Sequence, residues 1–452
     1  MEKMNSSRRQ FLKNAAIITG GSIVAPTILS SCAKGANDRI MMAHIGVGSM
    51  GQAALKSWFM QLESTYAVAT CDTFLDRRTE VAQYVNQTYK EKDIKAPECK
   101  AYLDMDEILG RKDIDCVNIT TPDHWHVLAA IKAARARKHM MVAKPFGLIY
   151  SDFKILEKEL KANNVKFHYG TQQRAMSHMK LAISMIREGN IGEVERVEVW
   201  APGKNDVPSP QCNEVPVPAN FDYERWTGPA RMNPYCPDRV TNNSSWFQND
   251  YSIGFLAGWG AHPLDIMIWG IKELLGGKYT CEGTGTFWEP GGIYDNIYSW
   301  DLNYEYESGV KLRFMSSDVV QNKDVWSYRK MKDYNTTTFF GLKGWISVGR
   351  TSAESNIPEL QQKLDQFPKD EKGWIKEDGW KMGQMYIDVV KGTIPETCPL
   401  DEAIMSDCVS HMGDIAIRTG RKITWNPLVG QVVDDPEANK IFNREARKPY
   451  IA

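Results

Sequence analysis

At 452 residues the chain is too long for one ordinary hydrophobic core, so two domains are expected. Its composition, 42% hydrophobic and 25% charged, is that of a globular protein, and a formal net charge of −1 gives no electrostatic ground for a nucleic-acid or anionic-membrane partner. The nine cysteines contain no CxxC pair and no Cys/His spacing of a zinc site, so neither a metal nor a disulfide framework is expected.

The chain opens on an address. Ser7-Arg8-Arg9-Gln10-Phe11-Leu12-Lys13 has the form of a twin-arginine export signal. The apolar run from Ala15 to Leu29 follows, too short and glycine-broken for a spanning helix, and ends in Leu29-Ser30-Ser31-Cys32, the form of a lipoprotein cleavage box with Cys32 acylated. Residues 1–32 therefore read as a signal, and the mature body as an exported, periplasmic lipoprotein that meets the membrane only through its lipid. The twin-arginine route accepts folded proteins, so a cofactor can be installed before export and should then be held tightly.

Residues 39–45 predict a strand that runs into Gly46-Val47-Gly48-Ser49-Met50-Gly51 and a helix over Gln52 to Met60. This is a G-x-G-x-x-G turn between strand and helix, where a dinucleotide pyrophosphate sits on backbone N–H groups. A second strand over Tyr66 to Cys71 ends at Asp72, placed to accept from the ribose hydroxyls and to repel a 2′-phosphate, which favours NAD over NADP. Arg77 and Arg78, a turn further on, leave NADP open. The alternation continues with a strand over Ile114 to Thr120, the run Thr121-Pro122-Asp123-His124-Trp125-His126, and a helix to about Arg137. Next come a strand over Met140 to Ala143 stopping at Lys144-Pro145, a helix over Asp152 to Ala162, and a strand over Lys166 to Tyr169. Cys71 and Cys116 fall inside these apolar runs and read as small buried hydrophobes.

Past residue 190 the pattern changes to strands rich in β-branched and aromatic residues: Val194 to Trp200, Tyr279 to Phe287, Ile297 to Tyr306, Val310 to Ser316 and Thr336 to Gly341. Leu302, Tyr304 and Tyr306 alternate with Asn303, Glu305 and Glu307, and after Ser308-Gly309 the residues Leu312 and Phe314 alternate with Lys311 and Arg313. That predicts a hairpin in a sheet with one buried and one wet face. A helix over Asp401 to Arg418 is expected to stop at Gly420.

Together, the glycine turn, Thr-Pro-Asp-His-Trp-His, Lys-Pro, Gly170-Thr171-Gln172-Gln173-Arg174, Trp226-Thr227-Gly228-Pro229-Ala230 and Trp259-Gly260-Ala261-His262-Pro263-Leu264-Asp265 resemble the glucose–fructose oxidoreductase/inositol dehydrogenase (Gfo/Idh/MocA) family. The resemblance implies an α/β protein: a doubly wound Rossmann domain over 36–172, then an α+β domain over 173–452 with a large open, mostly antiparallel sheet. It also implies homo-oligomers (dimer or tetramer) and chemistry on sugars or cyclitols. It gives Lys144 a role at the reacting hydroxyl beside the nicotinamide, where Ala143 replaces the usual glutamate. His262 suits a general base, but Gly258 stands where the family often has aspartate. Thr121, Pro122, Asp123, Trp125 and His126 are expected to wall the cofactor, with Gln173 donating to it. His124 and His126 lack a third metal ligand. Gln172, Arg174, Asp265 and the stacking platforms Trp246 and Trp259 are candidates for the substrate.

Three functions compete on this reading. The first is an NAD(P)-dependent oxidoreductase acting on a sugar or sugar derivative. The second is a redox-neutral glycosidase or lyase that works through a transient keto-sugar, which an export address without free dinucleotide favours. The third is a carbohydrate-binding relative that has lost catalysis with the two acidic residues.

Overall fold

Strands separated in sequence by helices pair in parallel, because each return crosses over a helix. In the computed structural model, which describes residues 39–203, 207–241, 244–376 and 381–452, β1 (Ile40–Ile45), β2 (Thr65–Cys71), β3 (Lys100–Tyr102), β4 (Cys116–Ile119), β5 (His139–Ala143) and β6 (Phe167–Gly170) form such a sheet. Every pair is parallel, in the order β3-β2-β1-β4-β5-β6. The twin-arginine run and Cys32 lie outside the described residues. Both faces of the sheet are covered, which is why β1 reads as a nearly continuous apolar run instead of an alternating one.

The helix after the glycine turn, α1 (Ser49–Ala54), starts three residues earlier than expected and widens into a π-turn over Leu55–Phe59. There Phe59 packs against His44 and Tyr386, with ring centroids 5.6 and 6.1 Å apart. The other helices that matter for the site are α2 (Asp123–Arg135) after β4 and α3 (Tyr150–Asn163) after β5. The sheet order reverses between β1 and β4, and their C-terminal ends hold Gly46 and Thr120 side by side, the place where ligands bind in doubly wound sheets.

The second sheet has nine strands: β7 (Val194–Ala201), β8 (Tyr279–Phe287), β9 (Ile297–Tyr306), β10 (Lys311–Ser316), β11 (Thr336–Gly341), β12 (Gly344–Gly349), β13 (Ala353–Ser355), β14 (Ile423–Asn426) and β15 (Gln431–Val432). Their order is β13-β12-β11-β7-β10-β9-β8-β14-β15, and β7 with β10 is its one parallel pair. The β9–β10 hairpin turns at Gly309, whose N–H donates to the Tyr306 carbonyl at 2.8 Å. Leu302, Tyr304, Tyr306, Leu312 and Phe314 are buried while Asn303, Glu305 and Lys311 are exposed. Each such side chain contributes about 1.5–3 kcal/mol by leaving water, so a one-residue slip in register would be heavily disfavoured.

Three helices join the two sheets: α4 (Ala261–Gly270), α5 (Lys381–Lys391) and α6 (Leu400–Thr419). α5 packs Met382, Met385 and Tyr386 into the same cluster as Ile40, Met42 and Phe59 of the first sheet. α6 lies against α4 and β8, and ends at Gly420. None of the described helices is long and apolar enough to cross a membrane.

No disulfide is expected from the cysteine spacing, yet Cys212 and Cys236 are joined, with Cα atoms 5.6 Å apart. Their spacing belongs to no motif; the chain brings them together by folding the segment between them back on itself. Cys71 and Cys116 are buried and outside this disulfide, as expected of small hydrophobes.

Candidate functional site

The site begins at the turn after β1. Gly46 has φ +83°, and a Cβ there would lie 2.6 Å from the Thr120 carbonyl carbon. A Cβ on Gly51 would lie 2.0 Å from the Gly46 oxygen, so both positions exclude any side chain. Above Gly48, by contrast, a Cβ would meet nothing nearer than Arg77 Nη1 at 3.8 Å: the space over this turn is open. It forms the floor of a cleft of about 1080 Å³, lined also by Ser49, Met50, Asp72, Thr121 and Pro122. The Thr121 hydroxyl is buried and has no partner among the described residues. A glycine cradle with an orphaned hydroxyl beside it fits a dinucleotide.

Asp72 serves this cradle directly. Its two carboxylate oxygens accept the N–H groups of Val47 and Phe74, each at 3.0 Å, so the end of β2 braces the glycine turn. Burial pushes the carboxyl above its ordinary value, opposed by those N–H groups and by Arg77. Arg77 lines the cleft with its guanidinium 4.0 Å from the Phe74 ring centroid.

Trp125 and Trp246 also line the cleft. Behind Trp246 lies Lys144, presented by a loop held from two sides. Asp407 on α6 accepts the N–H groups of Phe146 and Gly147, and His126 has its Nδ1 2.7 Å from the Pro145 oxygen. The Lys144–Pro145 peptide is cis. Lys144 Nζ donates to the Gly258 carbonyl at 2.7 Å and lies 5.1 and 5.6 Å from the ring centroids of Trp246 and Trp259. Burial pushes its pKa down to about 8, with Asp123 opposing and Arg350 adding to the fall.

His262, in the first turn of α4, is buried beside Trp259, ring centroids 6.0 Å apart. Its Nδ1 has no partner among the described residues. Burial, then the charges of Lys144 and Arg350, hold its pKa well below the ordinary imidazole value, so the ring is neutral. Arg350, just past β12, escaped the sequence reading. Its guanidinium lies 5.9 Å from the Trp259 ring, and the only signal was a cation directly after a buried strand.

Several expected site residues are placed differently. Asp123 does not line the cleft. It is 3% exposed, accepts the Ser252 hydroxyl at 2.7 Å and the Trp246 indole N–H at 3.3 Å, and acts on Lys144 from behind. His126 is likewise behind the wall, its Nε2 2.8 Å from the Thr121 carbonyl, tying the β4 end to the Lys-Pro loop. His124 faces the Trp226 carbonyl at 3.0 Å. Among the described residues no cluster of three or more His, Cys, Asp or Glu could hold a metal. Gln173 does not line the cleft: its amide N–H donates to Asn335 Oδ1 at 2.8 Å, and the Nδ2 of Asn335 donates to the Trp259 carbonyl at 3.3 Å. Gln172 is buried, and its Oε1 has no partner among the described residues.

Arg174 and Asp265 are not aimed at a substrate. They form a two-point ion pair, at 2.8 and 2.6 Å, with Arg174 also 2.5 Å from Glu402 Oε2 and Glu402 2.7 Å from Lys272. Arg174, Asp265 and Glu402 are at most 2% exposed. The cluster locks the residues after β6 to α4 and α6, and through α4 it fixes the helix that carries His262.

Residues 40–171 match the NAD-binding Rossmann fold of an oxidoreductase family, and residues 199–452 match that family's C-terminal alpha/beta domain. A Glycosyl hydrolase family 109 protein of Shewanella putrefaciens is 28% identical over 216 residues, 42% of this chain and 44% of that protein. An alpha-N-acetylgalactosaminidase of Shewanella oneidensis is 27% identical over 217 residues, with the same two shares. The alignments thus span less than half the length of these relatives. The scyllo-inositol dehydrogenase of Lactobacillus casei, solved with NAD(H) and scyllo-inositol, superposes with a TM-score of 0.54 over 86% of this chain and 99% of its own, at 13% identity. At that identity the likeness speaks for the fold alone.

Proposed function

The chain belongs to the Gfo/Idh/MocA oxidoreductase family, and from that premise we propose that it is an NAD-dependent enzyme that oxidises a hydroxyl of a sugar or sugar derivative. The observation that carries the reading is Lys144, held between Trp246 and Trp259 directly behind the Trp246 wall of the cleft, with its pKa lowered to about 8 and neutral His262 beside it. NAD bound over Gly48 supplies an acceptor for two electrons, which it can also return. Lys144 orients the reacting hydroxyl by donating from Nζ and favours its alkoxide. His262, held neutral, can accept a hydrogen bond from that hydroxyl, and it takes the proton only against the burial and the charges of Lys144 and Arg350 that oppose its protonation. Trp246 and Trp259 flank the half-buried Lys144 and offer apolar faces to a sugar ring. Asp72 favours NAD over NADP, because its carboxylate at the end of β2 repels a 2′-phosphate and Arg77 is engaged with the Phe74 ring.

A second reading is redox-neutral glycoside cleavage, in which the electrons return to the same sugar after its glycosidic bond has broken. The glycosyl hydrolase names of the Shewanella relatives favour it. So does the export address in residues 7–32, because a protein outside the cytoplasm has no free dinucleotide to draw on. The Cys212–Cys236 disulfide supports an oxidising compartment.

The test is to denature the purified protein, assay the released dinucleotide, and give the intact protein a panel of sugars and glycosides. Bound NAD and a rise in nicotinamide absorbance with a sugar would support oxidation. Glycoside cleavage without net absorbance would select the second reading. A protein that neither takes up NAD nor turns over any of the panel would overturn both.

A further inference from the structure

One side of the cleft is formed by a segment that no motif marks. Pro449, Tyr450 and Ile451 line it beside Trp125 and Arg225. The segment is tied down just before it reaches the cleft. The Arg447 backbone N–H donates to the Pro229 carbonyl at 2.8 Å, and its Nε to the carbonyls of Gly228 and Ala230, each at 3.1 Å. Arg447 Nη1 reaches Glu224 Oε1 at 2.8 Å. The same guanidinium lies 5.0 Å from the Tyr450 ring centroid, and that ring meets the Trp125 indole edge-on at 5.4 Å. Trp125 is itself fixed by Nε1 to the carbonyls of Arg225 and Trp226, at 3.0 and 3.1 Å.

Tyr450 is therefore an aromatic ring held between a fixed cation and a fixed indole, and left half-buried at the rim of the cleft. None of these contacts serves the chemistry at Lys144. We propose that Tyr450 is a dinucleotide-binding residue and that residues 447–451 form a retaining wall which slows release of the cofactor. The inference rests on the reading of this cleft as the NAD site. A ring already immobilised loses little entropy when it packs on a ligand, and contacts of this kind act mainly on the dissociation rate. Arg447 is a positioning residue that works through Tyr450.

The test uses the full chain loaded with NAD, with release followed by rapid gel filtration. Tyr450→Ala should release NAD roughly tenfold faster than wild type, and Tyr450→Phe should match wild type, since the ring and not the hydroxyl makes the contact. Arg447→Gln should speed release in the wild-type background and add nothing to Tyr450→Ala, whereas a merely structural role would add in full. If Tyr450→Ala melts early, Tyr450→Leu carries the comparison. Equal release rates from wild type and the Ala or Leu variant would overturn the wall while leaving the NAD site intact. A wild type that takes up no NAD would overturn the NAD reading and the wall with it.

Discussion

Lys144 Nζ donates to the carbonyl oxygen of Gly258 at 2.7 Å, joining the two places where the chain lacks a carboxylate of the family pattern, Ala143 and Gly258. The carboxylate that does act on Lys144 is Asp123, from the first turn of α2. With its pKa near 8, Lys144 keeps its proton below that pH and loses it above. Activity that needs the ammonium should therefore fall as pH rises through 8. A Cβ at position 258 would meet the Trp246 ring at 3.9 and 4.0 Å, an ordinary contact, so Gly258→Asp can be accommodated. A new carboxylate there should favour the ammonium and move the alkaline limb of kcat/KM up by roughly one pH unit. A limb that stays in place would show that Lys144 does not set it.

Removing the acid–base pair should separate chemistry from binding. Lys144→Met and His262→Gln are each expected to lower kcat/KM by about 10²-fold or more. Neither side chain lines the dinucleotide cleft, so NAD retained on gel filtration should stay at the wild-type level. Comparable activity in Lys144→Met would remove the lysine from the mechanism.

The alternating strands were legible because a sheet with one wet face writes its geometry into every second residue. β9 shows this from Leu302 to Tyr306. β8 and β11 also begin and end where expected, but from their β-branched and aromatic content, since Thr336 to Phe339 of β11 are all buried. The glycine turn was legible for a similar reason, since Gly46 and Gly51 face backbone that leaves no room for a side chain. The roles of Arg174 and Asp265 were not. Their pairing with Glu402 is made by three elements distant in sequence, and a charged side chain gives no local sign that its partners are buried with it. Asp123 and His126 lay in the correct run. Whether they face the cleft or the loop behind it depends on Ser252 and Pro145, which no spacing within the run can reveal.

The Cys212–Cys236 bond closes a short loop, with the two residues 24 apart in sequence. Loop-closure entropy gives it about 3 kcal/mol. Reduction, or Cys212→Ser, should lower the unfolding free energy by that order in a urea titration. Indifference to reductant would mean that the segment is already ordered by its own packing.

Acid should destabilise the fold through imidazoles buried in neutral form. Burial holds His44 and His168 near pKa 3, against an ordinary 6.5, and each is at most 1% exposed. Because the folded pKa is depressed, the unfolded chain takes up protons first. Stability is therefore lost as pH falls below 6.5, by roughly 1.4 kcal/mol per histidine for the first unit. His44→Gln keeps an acceptor for the Asn118 amide and should remove about that much of the loss between pH 7.5 and 5.5. An unchanged loss would place the acid sensitivity elsewhere.

The buried ion cluster offers the sharpest separation between a structural and a substrate-binding role. Arg174→Met leaves Asp265, fully buried, with the Cys398 thiol at 3.5 Å in place of a cation, while Glu402 keeps Lys272. Breaking one side of a buried pair costs about 3–5 kcal/mol, since the stranded charge loses its compensation. The expected result is a large fall in urea midpoint, with kcat changed only as far as α4 shifts His262. Replacing both partners, Arg174→Met with Asp265→Leu, should recover part of the stability, because no uncompensated carboxylate then remains at position 265. If Arg174→Met instead melted like wild type and raised KM for the sugar, the guanidinium would belong to the substrate after all.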